Sequence, residues 1–502
     1  MEPEVSDKQL FLGGYAYQRD RISNRRAYWV CKRMYRRECT ARAITSDPAD
    51  GVPVVVFKGP DQSEHQHPPN VEENIAAKVR TAMKRKAADH PEQPPAQLLR
   101  MELQDQPDDV LSQLPSQPAL VRALQRVRKK EFPRNPRSLH DLKDIPDKYT
   151  KTLLGEQFLL YDSGPPEEAE DTENEEEEIP PDPDFSRVIV YATRKNIELL
   201  CESPIWFLDG TFKTSPNIFA QLFTIIGLRQ RAGHPEETVA VPLVYAFLTG
   251  KKTEQYEEVL RVVRDAVNRF NINACVPTKL MTDFELAIIN ASKAVFPHVL
   301  ISCCFFHLGQ IIYRRIQEDG LQQQYRDPLD RTVKRFTHML LALAFVPAAD
   351  VPDAFAELRR ECPPELHTVF DSFSRYYISG TPARGRRRGR RPTYRPALWN
   401  QYQTAIEKSH RTNNVSEGWH NRFRLVVGKH HPDLYTAITE IQKEQGYMEI
   451  CITELAMGKK VKTSPTKKWI ALQDRLESIA AEYDSKPIME YLRAIAANVD
   501  IS

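Results

Sequence analysis

The sequence predicts a mixed α+β protein: a small β-rich module, then an α/β core, then a largely helical region. Short aromatic and β-branched segments separated by turn-forming residues fill residues 8–69. Strand and helix patterns alternate over residues 187–312, and helical periodicity dominates from residue 313 onward. At 502 residues, the chain is also too long for one ordinary hydrophobic core.

These patterns divide the chain into seven segments. They are a β-rich module (8–69), a basic helix and a linker rich in Pro, Gln and Asp (70–118), a helical DNA-binding region with a basic face and an acidic linker (119–186), the α/β core (187–312), a helical insertion with a basic loop (313–410), a further helix (411–430) and a helical tail (431–502). We find no internal repeat of fixed period.

Composition argues against a membrane protein and a secreted protein. The chain is 41% hydrophobic, but it has no apolar run of the roughly 18 residues that a transmembrane helix needs. Its N-terminus lacks the basic and apolar regions of a signal peptide. We therefore expect no membrane partner, and we interpret the eight cysteines as thiols or metal ligands rather than disulfides.

Two groups of basic residues are candidates for DNA binding, although the net charge is only +2. The first group is Arg25, Arg26, Lys32, Arg33, Arg36 and Arg37, and the second is Arg386, Arg387, Arg388, Arg390 and Arg391 in the run RGRRRGRR. Such side chains neutralise phosphates and release counterions. The alternatives are a solvated charged face for the first group and a nuclear-localisation signal for the second. We expect a nuclear protein.

The core segment contains three strand patterns, a helix, a strand, a helix and a last strand. The strands lie in WFLDGTFK, IFAQLFTIIGLR, TVAVPLVYAFLTG, TKLMTDFE and VLISCCFF, and the first helix lies in KTEQYEEVLRVVRDAVNRF. This order is typical of an RNase H-like mixed sheet.

Three acidic residues stand in contexts that suit metal-dependent phosphoryl transfer. Asp209 and Asp283 end buried strands, and Glu417 lies in a polar stretch that opens a late helix. Carboxylates at the edge of a core are costly unless a cation compensates them. Two divalent ions would do so and would also perform chemistry, and oxygen ligands favour Mg²⁺ or Mn²⁺. The alternative for either aspartate alone is a turn-forming role, because aspartate is common where strands end. Glu285 is an alternative to Asp283 as the metal ligand.

A candidate zinc site consists of two cysteines and two histidines: Cys31, Cys39, His65 and His67. Two thiolates and two imidazoles suit tetrahedral zinc. Seven residues separate the cysteines, which is not the usual zinc-finger spacing, so a hairpin would have to bring them together. The alternative is a pair of core cysteines with two surface histidines.

Taken together, the motifs resemble two known families. GYAY, YWVC, CTARA and EHQH resemble a FLYWCH-type zinc finger, over roughly residues 9–69. DGTFK, TDFE, CCFFHLGQ and NNVSEGWHNRF, in that order, resemble the transposase domain of Mutator-like elements (MULE), over roughly residues 119–430. The first resemblance implies a small zinc-containing β-sheet module that binds DNA.

The second resemblance implies an acidic DDE triad and its supporting residues. The implied triad is Asp209, Asp283 and Glu417, and the supporting residues are Cys304, His307, Gln310 and Asn414. Asn414 is expected to cap the helix or to bond the ligand carboxylate. The alternative for Cys304 and His307 is a buried thiol beside a hydrogen-bonded imidazole.

The resemblance also implies an enzyme that binds double-stranded DNA. It would bind terminal inverted repeats, hydrolyse a phosphodiester bond with Mg²⁺ or Mn²⁺, and join the freed 3′ end to target DNA. Because two ends must be joined, a homo-oligomer is expected. The alternatives are a domesticated DNA-binding transcription regulator without catalysis and a cellular RNase H-like nuclease. The intact triad argues against the regulator, and the finger argues against the nuclease.

Overall fold

The computed structural model contains two compact units, Met1–Arg134 and Asn135–Ser502. It describes residues 3–6, 8–36, 38–48, 53–89, 93–131, 133–165, 186–273, 276–383, 388–407, 414–461 and 467–499. The fold is mixed α+β, with a β-rich N-terminal sheet and a helical C-terminal part.

The first unit begins with a six-stranded antiparallel meander. Its strands are β1 (Glu4–Ser6), β2 (Gln9–Leu12), β3 (Tyr15–Ser23), β4 (Arg26–Cys31), β5 (Arg42–Ser46) and β6 (Val56–Lys58). The core of this sheet surrounds Trp29, which is fully buried and donates from Nε1 to Oγ1 of Thr45 at 2.8 Å. That bond satisfies the one polar atom that burial of the indole would otherwise leave unpaired.

Four helices complete the first unit. They are α1 (Val71–Asp89), α2 (Pro95–Leu103), α3 (Asp108–Ser112) and α4 (Gln117–Glu131). Helices α2 and α3 lie in the segment that its Pro, Gln and Asp content marked as a linker. Pro95 occupies the first turn of α2, where its missing N–H costs nothing. Leu98 and Leu99 then bury against Leu124 of α4 in a small shared core.

The second unit is built on a seven-stranded mixed sheet. Its elements up to the last strand are β7 (Leu159–Asp162), β8 (Val188–Tyr191), α5 (Arg194–Cys201), β9 (Ile205–Thr211), β10 (Gln221–Arg231), β11 (His234–Leu248), α6 (Thr253–Arg269), β12 (Lys279–Thr282), α7 (Leu286–Val295) and β13 (Leu300–Cys303). The strand order across the sheet is β13-β12-β9-β10-β11-β8-β7. Strands β13, β12 and β9 are parallel to one another, and the other pairings are antiparallel.

Strand β9 lies in the interior of this sheet, between β12 and β10. Its first five residues, IWFLD, are all buried, as expected of a strand that is covered on both faces. Helix α6 covers the sheet through a buried face that includes Tyr256, Leu260 and Val263. From β9 to β13, the strands and helices follow one another in the order that the sequence predicts.

The remainder of the second unit is helical. Its helices are α8 (Phe305–Glu318), α9 (Gln322–Arg326), α10 (Thr332–Ala342), α11 (Val351–Glu361), α12 (His367–Phe373), α13 (Pro396–Trp399), α14 (Tyr402–Ile406), α15 (Asn414–Val427), α16 (Leu434–Ala456), α17 (Lys467–Ala481) and α18 (Ile488–Ala496). Except for α15, these helices contribute residues to one hydrophobic cluster that they share with the sheet. Among the described residues, no helix combines the length and the apolar character that crossing a membrane requires.

One cysteine differs from the expectation of thiols and metal ligands. Cys201, the last residue of α5, is disulfide-bonded. The other cysteines that the structure describes form no disulfide.

Candidate functional site

Two thiols and two imidazoles converge in the first unit. Cys31 ends β4, Cys39 precedes β5, and the histidines follow β6. Sγ of Cys31 lies 3.2 Å from Nε2 of His67, and Sγ of Cys39 lies 3.4 Å from Nδ1 of His65. The two imidazole nitrogens are 3.4 Å apart, and all four ligand atoms lie within 4.8 Å of one another.

This Cys2His2 cluster fits a zinc ion. Tetrahedral zinc, with Zn–S near 2.3 Å and Zn–N near 2.05 Å, separates its ligand atoms by about 3.3 to 3.8 Å. The two sulfur–nitrogen separations and the nitrogen–nitrogen separation given above agree with those values to a few tenths of an ångström. Burial and the neighbouring His67 lower the pKa of His65 to about 4, so this imidazole is neutral and able to ligate at pH 7. Burial raises the pKa of Cys31 to about 11, so zinc binding displaces a thiol proton.

Surrounding groups orient both imidazoles. The Nε2 atom of His65 lies 2.8 Å from the hydroxyl of Tyr17, and the Tyr15 ring stacks on the same imidazole with centroids 3.6 Å apart. Nδ1 of His67 donates to the carbonyl of Pro68 at 2.9 Å, which leaves Nε2 as its ligand atom. Such contacts fix the tautomer and ring orientation of a metal-binding histidine. From sequence, the tyrosines were visible only as part of the family pattern.

The basic residues of the first unit occupy several environments. Arg25 has a φ of +56° in the turn between β3 and β4. Arg26 lies over the Phe57 ring, 4.7 Å from its centroid, and Arg33 lies 3.4 Å from the Glu73 carboxylate. Of the remaining candidates, Lys32 is half-buried, and the Arg36 side chain and Arg37 lie outside the described residues.

In the second unit, the pairing of β9 with β12 sets two of the acids side by side. Met281 is opposite Phe207 in the parallel register. Asp209 follows Phe207 by two residues and Asp283 follows Met281 by two residues, so the two aspartates are level with each other. Burial raises the pKa of Asp283, and the charge of Asp209 raises it further.

Helix α15 brings Glu417 to the same edge of the sheet. Its Oε1 lies 3.4 Å from Nε2 of His307. Burial raises the pKa of Glu417, the charge of Asp209 adds to this, and His307 opposes it. Among the described residues, only the Cys2His2 cluster brings three or more such ligands within 4.8 Å of one another, so the three carboxylates are spread more widely.

A buried chain of polar groups joins α15 to two strands. Nδ1 of His420 lies 3.4 Å from Oδ2 of Asp209, and Nε2 of His420 lies 3.2 Å from Oγ1 of Thr224. The Thr224 hydroxyl also donates to the Asp209 carbonyl at 3.3 Å. Thr224 is directly opposite Asp209 in the β9–β10 pairing. The position of the first acid is thus tied to the helix that carries the third.

Glu285, the competing ligand, is already held by protein groups. Its Oε1 accepts from the Tyr256 hydroxyl at 2.6 Å, and its Oε2 lies 3.3 Å from Nζ of Lys251. Its backbone amide donates to Oδ1 of Asp283 at 2.9 Å. Glu285 therefore orients Asp283, which favours Asp283 as the metal ligand of the pair.

A buried aromatic residue anchors helix α15. Nε1 of Trp419 donates to Oε1 of Glu444 at 2.8 Å, and Glu444 also pairs with Arg422. The Trp419 ring stacks on Phe423 and lies 5.8 Å from the ring of Tyr245 on β11. Trp419 therefore acts in packing, and it sets the rotation of the helix that carries Glu417.

The four supporting candidates have different surroundings. Cys304 is fully buried, and its amide donates to the Thr282 carbonyl at 2.8 Å. His307 contacts Glu417 through Nε2, and within the described residues its buried Nδ1 has no hydrogen-bond partner. Gln310, within α8, is half-buried. Asn414 is the first residue of α15, and its side chain is not among those that the structure describes.

Backbone hydrogen bonds join the described ends of the segment that contains the arginine run, which we call the arginine loop. Arg388, Arg390 and Arg391 are exposed, whereas Arg386 and Arg387 lie outside the described residues. Thr381 and Arg390 exchange two backbone hydrogen bonds of 2.8 Å. Gly380 has a φ of +78°, and a Cβ there would lie 2.0 Å from the Arg390 carbonyl oxygen, so glycine is required.

The chain that leaves this loop is fixed beside the acids. The Tyr394 hydroxyl donates to the carbonyl of Phe284 at 2.7 Å, and the Tyr394 ring packs edge-on against the Phe284 ring. Phe284 directly follows Asp283. One arm of the arginine loop therefore ends next to the second acid.

Comparison with known families identifies both regions. Residues 205–310 match the family model of the MULE transposase domain, and residues 2–67 match that of the FLYWCH zinc finger domain. The chain carries a FLYWCH zinc finger and a MULE transposase domain. The matches confirm both resemblances drawn from the motifs, and such domains indicate DNA binding and a transposase-type function. The MULE match contains Asp209 and Asp283, whereas Glu417 lies beyond it. No curated protein matches the chain.

Proposed function

We propose that this protein is a DDE-type DNA transposase that acts through Asp209, Asp283 and Glu417 with Mg²⁺ or Mn²⁺. The observation that carries the proposal is the convergence of these acids, from β9, the end of β12 and α15, at one edge of the sheet. The MULE domain supplies the transposase context.

The strand order supports an RNase H-like assignment of the core. Strand β9 is the first strand of the predicted RNase H-like order. It lies between antiparallel β10 on one side and parallel β12 on the other, and β13 extends the parallel side. Strands of opposite direction can follow one another through short turns, whereas the parallel strands need the crossover helices α6 and α7. This arrangement sets the two aspartates on adjacent parallel strands.

The electrostatics of the acids support a cation site. Burial and the charge of Asp209 disfavour the charged forms of Asp283 and Glu417, and divalent ions would relieve both effects. The donors are carboxylate oxygens, which suit Mg²⁺ or Mn²⁺. The three carboxylates do not form one compact cluster, and this spacing suits a site in which they are shared between two ions. Held by Asp209, Asp283 and Glu417, such ions would activate the attacking hydroxyl and stabilise the leaving oxygen.

The other residues have positioning and binding roles in this proposal. His420 and Thr224 orient Asp209, Glu285 orients Asp283, and His307 contacts Glu417. The exposed arginines of the loop bind DNA phosphates, and the finger binds the terminal inverted repeats. A homo-oligomer belongs to the proposal because two element ends are joined in one reaction.

The test is cleavage and strand transfer on terminal-repeat DNA with Mg²⁺ or Mn²⁺. Replacing each acid by its amide (Asp209→Asn, Asp283→Asn, Glu417→Gln) is expected to abolish both reactions while leaving DNA binding intact. Glu254→Gln, at an exposed position of α6, is the matched control and is expected to stay active. Activity in all three amide variants would overturn the site assignment. DNA binding by an inactive wild-type protein would instead indicate a DNA-binding regulator.

A further inference from the structure

An exposed aromatic ring lies beside the acidic site. Phe212 follows the end of β9, three residues after Asp209, and 43% of it is exposed. Nζ of Lys251 lies over its ring, 3.9 Å from the centroid. An aromatic face and an ammonium group in contact are the two groups that bind the base and the phosphate of one nucleotide.

The backbone under Phe212 is fixed, so its exposure does not arise from a loose loop. The Ser215 amide donates to the Phe212 carbonyl at 3.2 Å, and both Thr214 and Ser215 are fully buried. From the other side, the His431 amide donates to the Lys213 carbonyl at 2.9 Å. The ring is therefore presented to solvent by a buried turn.

Lys251 is equally well anchored, through Glu285. Oε2 of Glu285 lies 3.3 Å from the Lys251 ammonium, and the Glu285 amide bonds to the Asp283 carboxylate. Tyr256 fixes the other oxygen of Glu285, and Nε2 of Gln221 donates to the Tyr256 hydroxyl at 2.6 Å. Phe212 is thus linked to Asp209 along the chain, and Lys251 is linked to Asp283 through hydrogen bonds.

We propose that Phe212 and Lys251 form a nucleotide subsite that stacks one unpaired DNA base and binds its phosphate next to the scissile bond. A base stacks on any aromatic face without regard to its sequence. A paired base has both faces covered by its neighbours, so the subsite favours single-stranded or frayed DNA. The ring and the lysine would therefore hold an unpaired strand end beside the acids. This inference rests on the proposed function, because the acids define which phosphate is cut.

The test uses the full-length protein and a DNA duplex whose single-stranded overhang carries 2-aminopurine, without added Mg²⁺ or Mn²⁺. Stacking on Phe212 is expected to quench the 2-aminopurine fluorescence. Phe212→Ala and Phe212→Leu are expected to abolish the quenching and to weaken overhang binding about tenfold or more, whereas Phe212→Trp retains both. Lys251→Gln is expected to lower the salt dependence of overhang binding by about one phosphate contact.

Two variants provide matched controls. Leu329→Ala removes a side chain that is 95% exposed. Lys459→Ala removes a lysine that is ion-paired like Lys251 but lies far from Phe212. The neighbouring Gly458 carbonyl accepts a hydrogen bond from Arg231 at one end of β10. Leu222, which is opposite Thr211 in the sheet, lies about 30 Å away along the same strand. Both are expected to behave like the wild type.

The outcomes separate this inference from the proposed function. Unchanged quenching and affinity in both Phe212→Ala and Phe212→Leu, with native thermal melting, would overturn the subsite. The leucine variant keeps an apolar side chain, so its loss of quenching isolates the aromatic face. If quenching depends on Phe212 but the wild type never cleaves DNA, the subsite stands and the transposase proposal fails.

Discussion

Nδ1 of His420 lies 3.4 Å from Oδ2 of Asp209, so the helix that supplies the third acid also contacts the first. The same imidazole reaches Thr224 through its other nitrogen. A change at His420 therefore acts on the acidic site through the orientation of Asp209.

For His420→Ala, we expect a 10- to 100-fold loss of cleavage, the usual effect of removing a group that orients a metal ligand. The loss is expected to diminish as Mg²⁺ is raised, because metal binding rather than DNA binding is impaired. Cleavage rates over a Mg²⁺ titration measure this effect. His298→Ala, at an exposed position, is the control. The same Mg²⁺ dependence in His420→Ala and the wild type would contradict the positioning role.

Glu444 is expected to stabilise the protein through Trp419 and Arg422. Glu444→Ala leaves the buried indole N–H without its acceptor, so we expect a loss of about 1 to 3 kcal/mol in the free energy of unfolding. Urea denaturation followed by circular dichroism measures it. Glu454→Ala, at a partly exposed position of the same helix where the side chain forms only a surface ion pair with Lys459, should change the free energy by less than about 0.5 kcal/mol. Equal midpoints for the two variants would argue against the anchor.

Zinc affinity is expected to fall as the pH is lowered from 8 to 6. The pKa of Cys31 is raised to about 11, so zinc displaces at least one proton, and each displaced proton changes the affinity about tenfold per pH unit. His65 adds no proton competition in this range, because its pKa is about 4. Competition with a coloured chelator at several pH values measures the slope. An affinity that does not change with pH would exclude thiolate ligation.

Gly380 and Gly446 are expected to respond oppositely to alanine. Gly380→Ala places a Cβ against the Arg390 carbonyl at positive φ, so we expect a disturbed arginine loop, weaker DNA binding and a lower salt dependence. At Gly446, within α16, an added Cβ meets no heavy atom within 4 Å apart from its chain neighbours and the adjacent helix backbone, so alanine should stabilise the protein by about 0.5 to 1 kcal/mol. DNA binding over a salt series and thermal melting distinguish the two. Native binding by Gly380→Ala would show that the hydrogen bonds joining the ends of the loop are dispensable.

Local patterns were sufficient to predict the strands that position the two aspartates. IWFLD is a continuous apolar run that ends in an acid, and this pattern identifies a buried strand without any long-range information. The end of the strand was predicted two residues too early, because β9 continues past Asp209 to Thr211 through its pairing with β10. Helix α6 was equally clear, because its apolar residues recur at helical spacing. Helices α2 and α3 were missed because their prolines indicate turns unless the buried leucines beside them are recognised as a core.

The groups that orient the candidate ligands could not be predicted in this way. Thr224 is opposite Asp209 only because β10 pairs with β9 in one register, and nothing in its own segment indicates that contact. Glu444 reaches Trp419 from another helix, and Lys251 reaches Phe212 across a long separation in sequence. Such pairs depend on tertiary packing, which a single sequence does not reveal.

The late position of Glu417 has a consequence for the newly made protein. The sheet with Asp209 and Asp283 is complete in sequence by β13, which ends at Cys303, whereas α15 begins at Asn414. Because domains fold as units and helices after β13 bury residues in the same hydrophobic cluster as the sheet, the first two acids are expected to be set in place only after that later part of the chain has been made. A prematurely terminated chain would therefore lack Glu417 and also part of the core that supports Asp209 and Asp283.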